Sequence, residues 1–518
     1  MTSLPYRVAA FALLAAPAAA PAQASTFIMR LNGDTLGIER VTRTGQRLDG
    51  DFVDKLRGIH LRYSANLGGD GSVSQFESWV SRGEDTTTIS HVVMQAAGDT
   101  MVVEAGRGET HRIATKAGAV VYFNPSAALL EQALRRARAI GGATVDVPLF
   151  QAAGGMTAPL GVTWVGTDSA HLTLGGVTMN VAVGPDGRLT GMNVPTQNFV
   201  VSRVEGFRDA KIEKPDYTVP ADAPYTAEEV TLRTPSGITL AGTLTLPKVR
   251  PAQGVPAVVT ITGSGTEERD ESLPGVSGYR PFRQIADTLA RRGIAVLRLD
   301  DRGIGGSEAG PRGATSGDFA ADIEAGLQYL RTRHDINGNR LALVGHSEGG
   351  MIAPMVAAAD PKLHAIVLMA GPSHTGRAIL KYQQEYAADS LLKLTDTRRD
   401  SALRAMSKTL DSAAAAEPWV KFFLDYDPIA TAKRVKQSVL ILQGGTDRQV
   451  TPEQANELAA AFRAGGNRDV TVKIFPETDH LFLADPNGNP SGYPRLPSKN
   501  VRPEVLGLIA DWLAARLR

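Results

Sequence analysis

"RLALVGHSEGG", residues 340–350, runs an apolar strand straight into a polar turn. Leu341, Leu343 and Val344 have the continuous apolar character of a strand buried on both faces. Gly345-His346-Ser347-Glu348-Gly349 breaks that run, and "GMIAPMVAAA" (350–359) follows as a helix. A strand, a sharp turn and a helix around Gly-x-Ser-x-Gly hold a serine in a strained backbone with its hydroxyl exposed. Both glycines are required, because side chains there would strike the neighbouring strand and helix. In a chain with 53 glycines the pentapeptide carries little weight by itself, and its strand–turn–helix setting supplies the rest.

The same grammar repeats outward from this turn. "VPAVVTITGSG" (255–265), "GIAVLRLDDRGIGGS" (293–307), "AIVLMAGPS" (365–373), "VLILQGGTD" (439–447) and "VTVKIFPETDH" (470–480) are apolar runs that end in Gly, Asp, Ser or His. Helical patterns separate most of them, including "FRQIADTLARRG" (282–293), "DFAADIEAGLQYLRTRH" (318–334) and "PEQANELAAAFRAGG" (452–466). Continuous apolar strands alternating with amphipathic helices predict an α/β fold, a mostly parallel doubly wound sheet covered on both faces. "EEVTLRTPSGITLAGTLTLP" (228–247) reads as an antiparallel hairpin at the sheet edge, and "PEVLGLIADWLAARL" (503–517) as a closing helix. Residues 377–437, helical in character, interrupt the alternation and predict a lid over the carboxyl ends of the strands. Trp419, Phe422, Phe423 and Tyr426 in that lid are the candidate pocket-lining aromatics.

Residues 25–207 follow a different pattern and predict a smaller, antiparallel β-rich domain. "GVTWVGTDSAHLTLGGVTMNVAVGPDGRLTGMNV" (161–194) alternates apolar and polar residues between Thr-Asp-Ser, Gly-Gly and Pro-Asp-Gly turns, as a meander does. One helix, starting at Ser126, interrupts it, and no fixed-period repeat marks a propeller or solenoid. A polar, Pro-rich stretch (208–226) reads as a linker, which leaves 227–518 as the α/β domain. At 518 residues two or more domains are expected.

Residues 1–24 read as a secretory signal peptide, with one early positive charge, thirteen apolar residues from Val8 to Ala20, and a small-x-small site cut after Ala24. That run, broken by Pro17, is too short to cross roughly 30 Å of hydrocarbon, and no later segment is apolar enough to span. Export to a periplasm or the medium is the expectation. The absence of cysteine rules out disulfides, thiolate metal sites and a thiol nucleophile. With 55 basic against 54 acidic residues, charge gives no reason to expect a nucleic-acid or anionic-membrane partner. No Gly-x-Gly-x-x-Gly or Walker lysine is complete, and no cluster has metal-ligand spacing, so neither nucleotide, metal nor other cofactor is expected.

A serine hydroxyl needs a base to take its proton and a carboxylate to orient that base. In a strand–turn–helix arrangement of this kind the chain order is serine, acid, histidine. Asp447 ends one later strand and His480 the last, which makes Ser347, Asp447 and His480 the candidate triad. His374 also follows a strand end but precedes the acid. His346 is expected to point to the other side of the turn, Asp479 to be a bystander, and Asp427 to fix local structure in the lid. The oxyanion needs backbone donors. The predicted ones are the N–H of Glu348 and that of Ser264, with Gly265 as the alternative, in the loop "TGSGTEERDE" (262–271).

Together these elements resemble the α/β-hydrolase superfamily over roughly residues 225–518, closest to bacterial serine hydrolases related to the prolyl oligopeptidase and acyl-CoA thioesterase branches. "TGSGTEERDE", "FRQIADTLARRGIAVLRLDDRGIGGSE", "GHSEGGMIAPMVAA" and "LILQGGTDRQVTPEQA" carry the resemblance. It implies an esterase with the roles named for Ser347, Asp447 and His480, and a structural Arg302. Thr262-Gly263 replaces the His-Gly of many relatives, and Glu348 replaces the aromatic residue that oligopeptidases place after the serine. The leading expectation is an exported, cofactor-free serine hydrolase acting on a small-molecule or short-chain ester, with lid aromatics favouring an apolar acyl or aromatic group. A serine peptidase is the alternative, in which Glu267 and Glu268 would hold a substrate amino terminus, although solvated loop charges are the simpler reading. A non-catalytic binding protein on a hydrolase scaffold fits a complete triad least well.

Overall fold

The computed structural model describes residues 22–517 apart from 56–57, 83–87, 107–108, 205–215, 266, 312 and 392. Most of the signal segment and half of the linker therefore lie outside the described residues. The chain divides into two compact units, Met1–Lys214 and Pro215–Arg518.

In the first unit fifteen strands, from β1 (Gln23–Leu31) to β15 (Phe199–Val204), form one sheet. Every ladder is antiparallel except that between β9 (Val120–Tyr122) and β10 (Thr144–Gln151). The quoted meander becomes β11 (Met156–Val165), β12 (Ser169–Leu174), β13 (Val177–Val183) and β14 (Leu189–Val194). The helix α1 (Ala127–Ile140) begins after Ser126, whose hydroxyl accepts the Leu129 N–H at 3.1 Å. Its Leu129, Leu130 and Leu134 share one core with Phe27, Phe76, Met101 and Phe150, so the sheet wraps the helix.

A helix end enclosed in this way needs an acceptor for its free N–H groups. Glu39, fully buried, supplies it: Oε2 accepts from Ala127 N at 2.8 Å and Ala128 N at 3.1 Å. Its Oε1 accepts from Ser126 Oγ at 2.5 Å and Tyr63 Oη at 2.7 Å. Burial raises the Glu39 carboxyl above its usual range, and these donors pull it back only in part.

The second unit is an eight-stranded sheet in the order β16-β17-β19-β18-β20-β21-β22-β23. The strands are β16 (Tyr225–Arg233), β17 (Thr239–Pro247), β18 (Val255–Ile261), β19 (Ala295–Leu299), β20 (Ile336–His346), β21 (Ala365–Met369), β22 (Ser438–Gly444) and β23 (Val470–Phe475). β16 and β17 are the antiparallel edge hairpin, and Tyr225 and Thr226, which the sequence reading leaves in the linker, already pair with Pro247 and Leu246. From β19 to β23 the ladders are parallel. Alternate residues face opposite layers: Val259, Leu343 and Ile366 meet α3 (Ser316–Thr332), α4 (Glu348–Ala359) and α9 (Glu453–Ala464). Val258, Val344 and Val367 meet α2 (Pro281–Ala290) and α10 (Pro503–Arg516). Between β21 and β22 lie α5 (Gly376–Tyr386), a π-helical turn (Ala387–Leu391), α6 (Asp396–Ala416), α7 (Pro418–Asp425) and α8 (Pro428–Ala432), where the lid is predicted.

Glu39→Ala would strand two buried N–H groups and two hydroxyls. It is expected to destabilise the protein by about 2–3 kcal/mol, read as a lower urea midpoint. An unchanged midpoint would refute the capping role.

Candidate active site

Ser347 joins β20 to α4 at φ 53° and ψ −114°, a conformation that costs a non-glycine residue about 1–3 kcal/mol. Two backbone bonds clamp it: its N–H donates to Met369 O at 2.8 Å, and its carbonyl accepts from Gly350 N at 2.9 Å. A Cβ at Gly345 would sit 2.1 Å from the Gly349 carbonyl oxygen, and one at Gly349 would sit 2.1 Å from the Ile261 carbonyl oxygen. The first clash is with the helix and the second with β18, which is why both positions need glycine.

β22 delivers Asp447 and β23 delivers His480. Asp447 is fully buried and accepts four bonds. Oδ1 takes the N–H groups of Gln449 and Val450 at 2.8 and 3.0 Å. Oδ2 takes the Gln443 amide at 2.9 Å and faces His480 Nδ1 at 2.8 Å. An imidazole Nδ1 against a carboxylate oxygen carries the proton, which leaves Nε2 as the basic nitrogen. His480 is 4% exposed, and its ring centroid lies 4.9 Å from that of His346, the residue before Ser347. Gln443, which holds both Asp447 and the Val450 carbonyl, escapes the sequence reading, although a polar residue closing an apolar strand was a usable signal.

The loop after β18 presents Ser264 and Gly265 at the surface, with Gly265 at φ 120°. Gly263 N is committed to Glu271 Oε1 at 2.9 Å, so among the loop's glycines it is not a free donor. The loop is anchored below by Arg269, which grips Asp300 through Nε and Nη2 at 2.9 and 2.8 Å and Glu229 at 2.6 Å. Asp270 pairs with the buried Arg298.

The acidic residues of this loop are not solvated. Glu268 accepts from Tyr217 Oη and from the N–H groups of Asp270 and Ser272, each at 2.9 Å. Glu267 leans on Glu271, and burial, then the charges of Glu271 and Asp301, push its carboxyl far above the usual range. Asp301, which accepts from Thr262 Oγ1 and Glu267 N, is pushed up to about 8 by burial. His346, expected on the other side of the turn from Ser347, turns into the protein toward Glu271 and the His480 backbone.

Of the lid aromatics, Trp419 reaches the turn, its indole N–H donating to Glu348 Oε1 at 2.9 Å. The same oxygen accepts from Ser316 Oγ at 2.6 Å, and burial raises the Glu348 carboxyl. Phe423 stacks on Trp419 and crowds Gly376; Phe422 stacks on Tyr426 and lies over Gly317. The Tyr426 hydroxyl is spent inside the lid on Thr431 at 2.5 Å, and Asp427 caps α8 through Ile429 N at 2.9 Å. His374 stands apart, half-exposed and paired with Glu457 at 2.8 Å. Arg302 clasps Asp322 at 2.5 and 2.8 Å.

Asp479 is fully buried, accepts the Leu483 N–H at 2.9 Å, and is pushed up to about 7 by burial. The folded state therefore holds a proton that the unfolded carboxyl, titrating near 4, gives up, so this group costs stability as pH rises from 4 to 7. Asp479→Asn keeps the acceptor and removes the titration. Between pH 5 and pH 8 its urea midpoint is expected to gain on that of the wild type. Midpoints that run parallel across that range would refute the linkage.

A family model described as "Serine aminopeptidase, S33" matches residues 276–487. An esterase, EstD, of Thermotoga maritima is 26% identical over 58% of this chain and 70% of its own length. Dipeptidyl aminopeptidase BIII of Pseudoxanthomonas mexicana is 26% identical over 48% of this chain, a match that spans only 34% of that relative. Among solved structures, a Pyrococcus furiosus esterase aligns at a TM-score of 0.41 and 17% identity, over 59% of this chain and 98% of its own. With its strand order, its Gly-x-Ser-x-Gly turn, the family model and the EstD match, the chain is a hydrolase of the α/β-hydrolase superfamily.

Proposed function

We propose that the protein is an exported serine hydrolase that cleaves carboxylic esters. The observation that carries this reading is the bonded pair His480–Asp447, whose loop is tied through the His480 carbonyl to His346, the residue before a serine strained into a strand–helix turn. Ser347 Oγ attacks the acyl carbon while His480 Nε2 takes its proton. Asp447 holds Nδ1–H and stabilises the imidazolium that forms. The oxyanion lies between the N–H groups of Ser264 and Glu348, with Gly265 giving the backbone room to approach. Collapse breaks the ester bond, and the imidazolium returns the proton to the leaving alkoxide. Water, activated by the same imidazole, then releases the acid from the acyl-enzyme. Trp419 and its stacked partner Phe423 form the wall against which an apolar acyl group would rest.

Export rests on the leader pattern of Met1–Ala24. Gln23 and Ala24 are the exposed first residues of β1, so a cut after Ala24 would cost the sheet only their pairings with Arg43 and Thr42.

A serine peptidase is the second reading. It is favoured by the aminopeptidase relative and by the family model described as a serine aminopeptidase. Hydrolysis of p-nitrophenyl acyl esters but not of aminoacyl p-nitroanilides is the expected outcome, and the reverse would establish the peptidase.

A fluorophosphonate is expected to label Ser347, and Ser347→Ala to abolish both labelling and ester turnover. Asp447→Asn is expected to lower kcat by roughly a thousand-fold or more by releasing the imidazole tautomer. Labelling at another serine, or full turnover by Ser347→Ala, would refute the assignment.

A further inference from the structure

Beneath the candidate site, a buried side-chain bridge joins the loop of Ser264 to the loop of His480. His346 Nε2 lies 2.9 Å from the His480 carbonyl oxygen, and Nδ1 lies 2.7 Å from Glu271 Oε1. That same carboxylate oxygen accepts the Gly263 N–H at 2.9 Å. His346 is 4% exposed and Glu271 1%. Both ring nitrogens of His346 face oxygen atoms, an arrangement that favours the protonated ring. Burial opposes that charge, but Glu271 and the His480 carbonyl outweigh it.

The bridge is held at a cost. Glu271 adopts φ 59°, left-handed for a residue with a side chain, and its N–H is pinned to Glu268 O at 2.8 Å. A buried ion pair adds desolvation of both partners. The loops so joined are those that supply an oxyanion donor and the base, and the joint is the residue before the nucleophile.

We propose that Glu271 and His346 are positioning residues that lock the oxyanion loop, the base loop and the serine turn into one frame. Gly263 N–H fixes the backbone that aims the next peptide, Ser264, and the His480 carbonyl fixes the register of the imidazole. An error of about 1 Å at such groups costs on the order of a hundred-fold in rate. The His346 ring also faces the His480 ring, with 4.9 Å between centroids. This inference rests on Ser347 and His480 acting as proposed above.

The test uses His346→Gln, Glu271→Gln and the double variant of the full chain, with p-nitrophenyl acetate across pH and hydrogen exchange of the loop amides. Each single variant is expected to lose about tenfold or more in kcat with KM within about twofold. The double variant is expected to be no worse than His346→Gln alone, as for groups acting as a unit. Amides around Gly263 and around His480 lose protection together in both variants. A kcat within twofold of wild type, additive losses, or loosening of one loop only would overturn the proposal. Should His346→Gln not fold, the isosteric Glu271→Gln decides on kcat and exchange. Exchange reads the bridge without catalysis, whereas fluorophosphonate labelling of the wild type reads Ser347, so failure of one is told from failure of the other.

Discussion

The turn at Ser347 is possible because β18, β20 and α4 approach closer than any Cβ would allow. Gly345 and Gly349 each leave the 2.1 Å that a side chain would have to occupy. The strain at φ 53° is distributed into backbone bonds to Met369 and Gly350, so it is held by the sheet and not by the serine. Everything else in the α/β unit follows from delivering groups to that point. Parallel strands end on the same side, so Ser347, Asp447 and His480, far apart in the chain, leave from neighbouring strand ends.

Around this point the protein concentrates carboxyl groups and deals with each differently. Asp447 sits within reach of four donors. Asp270 and Asp300 are neutralised by Arg298 and Arg269. Glu271 is paired with a histidine, and Glu267 and Asp301 are pushed toward the protonated form. The outcome is a loop made rigid by buried charge pairs at the place where the reaction asks for preorganised donors. In the first unit the same problem has another solution, since Glu39 is enclosed by a helix N-terminus and two hydroxyls and not by a cation.

The lid couples to the turn through one polar contact, the Trp419 indole on Glu348. Phe422, Phe423 and Tyr426 are committed largely to stacking and to covering Gly317 and Gly376, as helices laid on a sheet require. An acid after the serine, in place of an aromatic residue, therefore has a structural meaning. It gives the lid a hydrogen-bond acceptor at the site.

Periodicity and turn chemistry in the amino-acid order settled the two units, the meander, the single helix after Ser126, the parallel sheet with its edge hairpin and the inserted lid. Those features depend on local pattern, which the order contains. The serine turn and the Asp447–His480 pair were legible too, because each member closes an apolar strand and their order along the chain is constrained. Gln443, Arg269, Glu271 and the inward turn of His346 were not. Their partners lie up to 134 residues away, as from His346 to His480, and no local pattern distinguishes a solvated loop glutamate from one folded under its own loop. Which charges are buried, and which neighbour answers each, was decided only when the strands came together.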